Sequence, residues 1–597
     1  MQRNRFDKKQ IVTNWFKFLL WFKSTFSSTQ QINIIAIVVG LASGLAAVLL
    51  KNMVHLTATG LQTISSFLDL NYLYFIYPII GISLAILFLR YVVKRPAGHG
   101  VPGILHSISQ KKGYIERHHM YSSLVASSLT VGFGGSVGLE GPIVGTGAAL
   151  GSNIGRAFRL NFRQIKTIIG CASSAAVASI FNAPVAGIIF SFEILLLDLT
   201  MASVVPFLIA SISAIVTSYL LIGNDVLYPY QVVSGFSIHD LPFYIILGIF
   251  CGLISYYFAS VYTSMHEKFK GKSTIKRILL GGGILGILIF LFPPLYGEGY
   301  KEVNFLLAGS HDFLYSRSVF ELFKGPVEVT LFILLAIILL KAFATSATFE
   351  TGGVGGIFAP SLFIGAHGGT LVALLINYSG VSDVSVTNFA LIGMAGMMSG
   401  IMYAPLFSIF LIAEISGGYS LLVPLMVTSV LAFIVVKYFA PNSVYTAQLA
   451  EQRLLLTHNK NKSAINLMKI ESLIETDFLS INSNATLGQL VELISKSKRN
   501  IFPVIDNGEF KGLIYMNDIR HLMFNRDLYD TVLAKDLAYL PNPTVSPSES
   551  MESVIRKFQK TQHYNLPVVE NGRYYGFISR ANTFSAYQKI IREISED

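Results

Sequence analysis

Charge is scarce in this sequence. Only 13% of its 597 residues are Asp, Glu, Lys or Arg, while 52% are hydrophobic, and the mean hydropathy is +0.56. A soluble fold of this length is excluded, and a multi-spanning membrane protein is indicated. Cysteine is scarcer still. Cys171 and Cys251 both lie in apolar segments, which excludes a disulfide framework. No metal-ligand cluster, nucleophile elbow or phosphate-binding lysine loop occurs. The twelve histidines are scattered, and His118 and His119 in "IERHHM" read as a loop between membrane segments. A membrane enzyme therefore finds no support, and no cofactor or metal is required.

What is present divides the chain unevenly. From about Ile32 to Ala440 it is a series of apolar runs such as "INIIAIVVGLASGLAAVLL" and "VTLFILLAIILL"; beyond about Leu449 it turns polar, with ordinary globular patterning. The expected organisation is a basic N-terminal segment (1–31), a membrane body (32–450), a linker (451–465) and a tail of two units (466–529 and 530–597). The first segment carries Arg3, Arg5, Lys8, Lys9, Lys17 and Lys23 against Asp7 alone, without a signal-peptide cleavage pattern. The positive-inside rule puts it in the cytoplasm. Trp15, Phe16, Trp21 and Phe22 suit either a segment lying on the membrane surface or the flank of a first membrane helix. The net charge of +11 belongs to such cytoplasmic flanks, so no nucleic-acid partner is needed.

The membrane body repeats itself. "GLEGPIVGTGAALGSNIG" (138–155) matches "GGIFAPSLFIGAHGG" (355–369), with Pro142 answering Pro360 at an offset of 218. "SIFNAPVAGIIFSFEI" (179–194) matches "GIMYAPLFSIFLIAEI" (400–415). Pro184 there answers Pro405 and Glu193 answers Glu414, both at an offset of 221. Paired apolar segments broken by glycine and proline point to a transporter-type fold with its site near the midplane. A helix that starts inside the bilayer leaves about four N–H groups without intrahelical acceptors and carries about half a positive charge. Glycine lets an ion approach those amides. Two or three such starts converging make an anion site that needs no fixed cation.

These motifs resemble the CLC chloride channel and transporter family. "GHGVP" (98–102), "GLEGP" (138–142), "GGIFAP" (355–360) and the tyrosine of "SVYTAQLA" (Tyr445) occur in the family's order. The resemblance implies an all-α, multi-pass membrane fold of two inverted repeats with broken helices, assembled as a homodimer with one anion pathway per subunit. It implies that Glu140 is the gating glutamate, an anionic side chain competing for the place chloride wants. It maps anion binding onto His99 and Gly100, the amides of Ile357 and Phe358, and the hydroxyl of Tyr445. Chloride is then the bound substrate.

Three departures from the family pattern bear on mechanism. His99 stands where serine, or proline in nitrate-handling members, is usual. Neutral imidazole can donate as serine does, protonated imidazole adds charge and pH sensitivity, or the ring faces away and leaves local amides to coordinate. Leu139 replaces a common arginine. Ile194 occupies the position of the internal proton relay, next to Glu193, and isoleucine carries no proton; Glu193, like Glu414, is expected in a structural role on its helix, capped or hydrogen-bonded near the dimer core. The expectation is a passive chloride channel of the voltage-gated type. A proton-coupled chloride antiporter, with Glu193 assisting on the proton pathway, and an exchanger preferring nitrate or another anion are the alternatives. A bacterial inner membrane with the tail in the cytoplasm fits the basic flanks.

The tail repeats at an offset of 64, "IFPVIDNGEFKGLIYMNDI" (501–519) answering "NLPVVENGRYYGFISRANT" (565–583). Each unit reads as strand, "NG" hairpin turn, strand and helix, preceded by an amphipathic helix. This resembles a pair of α/β CBS domains. Such pairs often bind adenine nucleotides, but Asp518 is accompanied by Tyr515 in place of a hydroxyl residue, and Ser579 by Asn582 in place of an aspartate. A structural, dimer-stabilising module is expected in preference to a nucleotide site.

Overall fold

The computed structural model describes residues 3–68, 75–96, 100–197, 201–223, 236–316, 320–323, 325–447, 465 and 468–595. The chain divides into two units, Met1–Leu455 and Leu456–Asp597. His99 and most of the expected linker (451–464) lie outside the described residues.

The first unit is helical. It opens with α1 (Arg3–Thr25), α2 (Ser28–Leu68), α3 (Tyr77–Leu87), α4 (Gly100–Gln110) and α5 (His119–Gly132). The first repeat follows as α6 (Glu140–Ala157), α7 (Phe162–Phe181), α8 (Pro184–Glu193) and α9 (Met201–Ile222). Between the repeats lie α10 (Leu241–Phe269), α11 (Thr274–Leu291), α12 (Tyr300–Leu307) and α13 (Val327–Thr351). The second repeat is α14 (Phe358–Ser379), α15 (Val386–Met402), α16 (Pro405–Ile415) and α17 (Leu422–Phe439). Among the described residues eight helices are long and apolar enough to cross a membrane. The "HHM" stretch is not wholly loop, because His119 opens α5. In α1, Leu19 and Phe22 are buried while Trp15, Phe16 and Trp21 are exposed. The ring of Phe22 packs on Phe158 at the end of α6.

The repeat is visible residue by residue. α7 ends on Asn182 (φ 57°, ψ 38°) and α15 on Tyr403 (φ 59°, ψ 39°), both left-handed. A non-helical alanine follows each, Ala183 (φ -127°, ψ 86°) or Ala404 (φ -132°, ψ 72°), and a proline then opens α8 or α16. Proline suits a first helical position because its missing N–H would have no acceptor there. α8 has 10 residues and α16 has 11, about 15 Å of helix, half the hydrocarbon thickness. Left-handed backbone is uncommon for tyrosine; the Tyr403 hydroxyl donates to Ala440 O at 2.7 Å and anchors that turn.

In the tail, β1 (Ile501–Asp506), β2 (Glu509–Tyr515), β3 (Asn565–Glu570) and β4 (Arg573–Ser579) form one antiparallel sheet in the order β1-β2-β4-β3. Both hairpins turn on the expected dipeptides, with Asn507 and Gly508 at φ 51° and 88° and Asn571 and Gly572 at φ 52° and 79°, as type I′ turns require. The helix Leu487–Lys496 is capped by Thr486 and Gln489. It packs Leu487 and Leu490 on Phe502, Val504 and Ile514. The helix Met551–Thr561 does the same with Val554 and Phe558 on Leu566, Val568 and Ile578.

Candidate functional site

The loops ahead of α6 and α14 pair with each other across the two repeats. Gly138 N donates to Gly356 O at 2.8 Å, and Gly356 N returns a 2.8 Å bond to Gly138 O. The next residue in each loop, Leu139 or Ile357, is the helix N-cap, and neither offers a capping side chain. The first N–H groups of both helices are thus left for something else to satisfy, and both positive ends meet at one place. Glycine permits the approach: a Cβ on Gly356 would stand 2.7 Å from Gly141 N. α4 contributes a third start. Gly100 opens it at φ 53°, and a Cβ there would lie 3.5 Å from Gly141 O. Three helix beginnings therefore surround Gly141, as the broken repeats require.

Glu140 occupies this convergence. It is the first residue of α6 and is wholly buried. Its carboxylate folds back over Gly138, where any side chain would collide with Oε2. It faces the N–H of Ala359 in the first turn of α14, so a side chain from one repeat reaches the helix start of the other. The Tyr300 hydroxyl donates to Oε1, and Oε2 has no hydrogen-bond partner among the described residues.

An aromatic cluster surrounds the neighbouring amides. Phe358 lies 5.8 Å from Phe190, 5.8 Å from Phe407 and 6.4 Å from Tyr445, ring centre to ring centre. Ile357 and Phe358 are buried. The Tyr445 hydroxyl is buried without a hydrogen-bond partner among the described residues, and it lies within range of the Glu140 charge. Gly100, Glu140, Ile357, Phe358 and Tyr445 thus gather in one region.

Glu193 and Glu414 do something the sequence did not foretell in detail. Glu193 accepts from Leu406 N at 3.2 Å and Phe407 N at 2.7 Å. Glu414 accepts from Val185 N at 3.0 Å and Ala186 N at 2.8 Å. Each acid, at the end of its own short helix, caps the start of the equivalent helix in the other repeat. Ile194, beside Glu193, is buried at the end of α8.

Three further residues stand at the site that sequence reasoning passed over: Tyr300 on Glu140, Glu298 two residues before it, and Lys341. Lys341 is fully buried inside the 25-residue α13. A lone cation in so apolar a run was the signal available.

In the tail, Ser579 donates to Glu475 Oε1 at 2.5 Å and accepts from Asn582 N at 3.1 Å. Arg499 bonds both Glu475 and Asp477, and it holds the Asp477 carboxyl below the usual range. Asp518 lies on the short helix Met516–Ile519 after β2.

A family model described as voltage gated chloride channel matches residues 80–437, and CBS-domain models match 470–525 and 534–588. The chain is 30% identical over 333 residues to the voltage-gated ClC-type chloride channel ClcB of Citrobacter koseri, covering 55% of this chain and 75% of that protein. Its fold is similar to that of a slow cyanobacterial Cl-/H+ antiporter (TM-score 0.62, 24% identity, 72% of this chain and 99% of that one). It is also similar to a eukaryotic CLC transporter (TM-score 0.59, 18% identity, 92% and 97%). At these identities the structural likeness concerns the fold.

Proposed function

The chain belongs to the voltage-gated chloride channel family, and from that premise we propose that it conducts chloride across a membrane along a glutamate-gated pathway in each subunit of a homodimer. The observation that carries this reading is Glu140, a buried carboxylate lying against the start of α14 with Oε2 unpartnered. An ionised carboxylate is an anion, so at these helix starts it stands in for the chloride that their amides would attract. Protonation, or displacement by chloride, frees the place. The amides of Ile357 and Phe358 and the Tyr445 hydroxyl then supply donors. Each charge-assisted bond contributes roughly 1.5–3 kcal/mol, and none adds a fixed charge that would trap the ion. Gly100 opens a third helix beside them, with His99 adjoining in the chain.

Passive conduction is supported by Ile194, a buried isoleucine in the position of the proton relay, and by Glu193 being engaged in capping α16. Chloride efflux from proteoliposomes, with reversal potentials measured in a proton gradient, tests it. A channel reverses at the chloride equilibrium potential at every pH, and a shift with the proton gradient would overturn passive conduction.

A second reading, proton-coupled chloride exchange, is favoured by one observation. His266 at the end of α10 meets buried Glu350 at 2.9 Å, and Glu350 lies within charge range of Tyr262, itself within range of Tyr445. Lys268, Lys270, Lys272, Lys276 and Arg277 follow His266 along the chain, which suits a cytoplasmic rim. In this reading Glu350→Gln removes the shift of reversal potential while chloride flux persists.

The basic N-terminal segment supports a cytoplasmic N-terminus and a bacterial inner membrane. The tail is read as a cytoplasmic, dimer-stabilising module, because the Ser579 hydroxyl is already committed to Glu475. Isothermal titration of the full-length protein with ATP and AMP tests this, and heat at millimolar nucleotide would overturn it in favour of a nucleotide site using Asp518 and Ser579.

A further inference from the structure

Beside the gate lies a buried polar cluster that anion coordination does not use. The stretch leading into and opening α12 reads "GEGYKE" (297–302), and it places two side chains against the start of α6. Tyr300 reaches Glu140 itself, and Glu298 faces the N–H of Leu139, the residue immediately before Glu140. Because Leu139 and Glu140 are consecutive, the two carboxyl groups are neighbours, within range of each other's charge. Each keeps one buried oxygen, Glu140 Oε2 and Glu298 Oε1, without a hydrogen-bond partner among the described residues.

The cluster is built around Lys341. Its ammonium donates to Gly297 O at 3.0 Å and Leu295 O at 3.4 Å, and sits 4.5 Å from the centre of the Phe363 ring. It thereby ties α13 to the segment that carries Glu298, and it faces both Glu298 and Glu302. The charged groups around Glu298 are Glu140 from α6, Lys341 from α13 and Lys51 from α2. Around Lys341 they are Glu302 from α12 and His367 from α14. Glu140 is completely closed off, whereas Glu298, Tyr300 and Glu302 are each partly exposed. These groups, and not Glu140, are members of the cluster with some exposure.

We propose that Glu298 is the proton-exchange partner of the gating carboxylate, held in place by Lys341; this rests on the reading of Glu140 as the gate. In the transfer the O–H bond of a protonated Glu298 breaks as an O–H bond forms on Glu140, directly or through one water. The products are a neutral Glu140 and a Glu298 carboxylate facing the Lys341 ammonium. Solvent then returns a proton to Glu298 from its exposed side. Leu139 stands where the family commonly has arginine, and Lys341 and Lys51 are the cations within range of Glu298 among the described residues. Two carboxylates sharing a small buried volume resist being ionised together.

The test is chloride efflux from proteoliposomes as a function of pH, with onset after an acid step, for wild type, Glu298→Gln, Glu140→Gln and the double variant. Glu298→Gln is expected to move acid activation down by about one pH unit, ten-fold in proton concentration, and to slow the onset by about ten-fold or more. Glu298→Asp, which keeps the acid, restores most of the onset rate. In the Glu140→Gln background Glu298→Gln changes nothing further. A wild-type pH profile in Glu298→Gln overturns the proposal, as does an equal loss of flux in both backgrounds, which marks a merely structural role. Glu140→Gln alone reports on the gate: if that single variant keeps full pH sensitivity, the gate reading fails, and the failure is seen without any change at 298.

Discussion

The two repeats build the same backbone twice and place different chemistry at its most sensitive point. Leu139 and Ile357 are equivalent N-caps, Gly138 and Gly356 hydrogen-bond reciprocally, and Pro142 and Pro360 stand in the first turns that follow. Yet the first helical residue is Glu140 in one half and Phe358 in the other. The carboxylate folds back over Gly138; the phenyl ring packs sideways among Phe190, Phe407 and Tyr445. One helix start is supplied with its own removable anion, and the other is walled with apolar surface. Symmetry therefore provides the converging helix starts, and a single difference in side chain provides what the proposed function reads as the gate. At the ends of α8 and α16 the symmetry is kept instead. Glu193 and Glu414 cap each other's partner helix through equivalent amides, which is what a structural role looks like.

The comparison breaks most sharply at Glu140. Glu140→Gln is expected to leave chloride efflux present and largely independent of pH, because the amide cannot be an anion; loss of flux in a folded protein would mean that Glu140 is no gate. The caps come next. Glu193→Ala and Glu414→Ala each strip the acceptor from two N–H groups and should cost about 1–3 kcal/mol per donor left unsatisfied. Near-equal falls in thermal stability in detergent are expected, and a large difference between them would end the claim of equivalent roles. The paired glycines sharpen the contrast. Gly138→Ala is expected to push the Glu140 side chain out of place and weaken the pH dependence of efflux, because a Cβ there meets Oε2. Gly356→Ala instead meets the backbone of Gly141, and is expected to lower thermal stability or folding yield. The smallest effect is expected at Tyr445→Phe, which removes one donor. A change in chloride affinity of about ten-fold or less, by isothermal titration, is expected, and a complete loss would give the hydroxyl a larger part than one hydrogen bond.

Much of the fold was legible beforehand for local reasons. Apolar runs report membrane spans, and "NAP" and "YAP" report a helix that stops and restarts, since proline cannot continue the first helix and is well placed to begin the next. The "NG" pairs report type I′ turns because those two residues tolerate positive φ. The clustering of Gly100, Glu140, Ile357, Phe358 and Tyr445 came from the resemblance, and the geometry supplies its physical cause in converging, uncapped helix starts. Glu193 as a cap of the opposite repeat was not legible, nor were Tyr300, Glu298 and Lys341 beside the gate. Nothing in a stretch around residue 341 says which loop its ammonium will reach.

By itself the sequence determined that the chain is a duplicated, glycine- and proline-broken membrane protein with a repeated α/β tail. Those features follow from backbone preference and burial, which act over a few residues at a time. Only the tertiary structure decided which carboxylate meets which amide. Glu193 finds Phe407 more than two hundred positions away, and Glu140 finds Tyr300. Partners for buried polar groups are chosen by which helix ends are brought together, and that convergence exists only once both halves have packed.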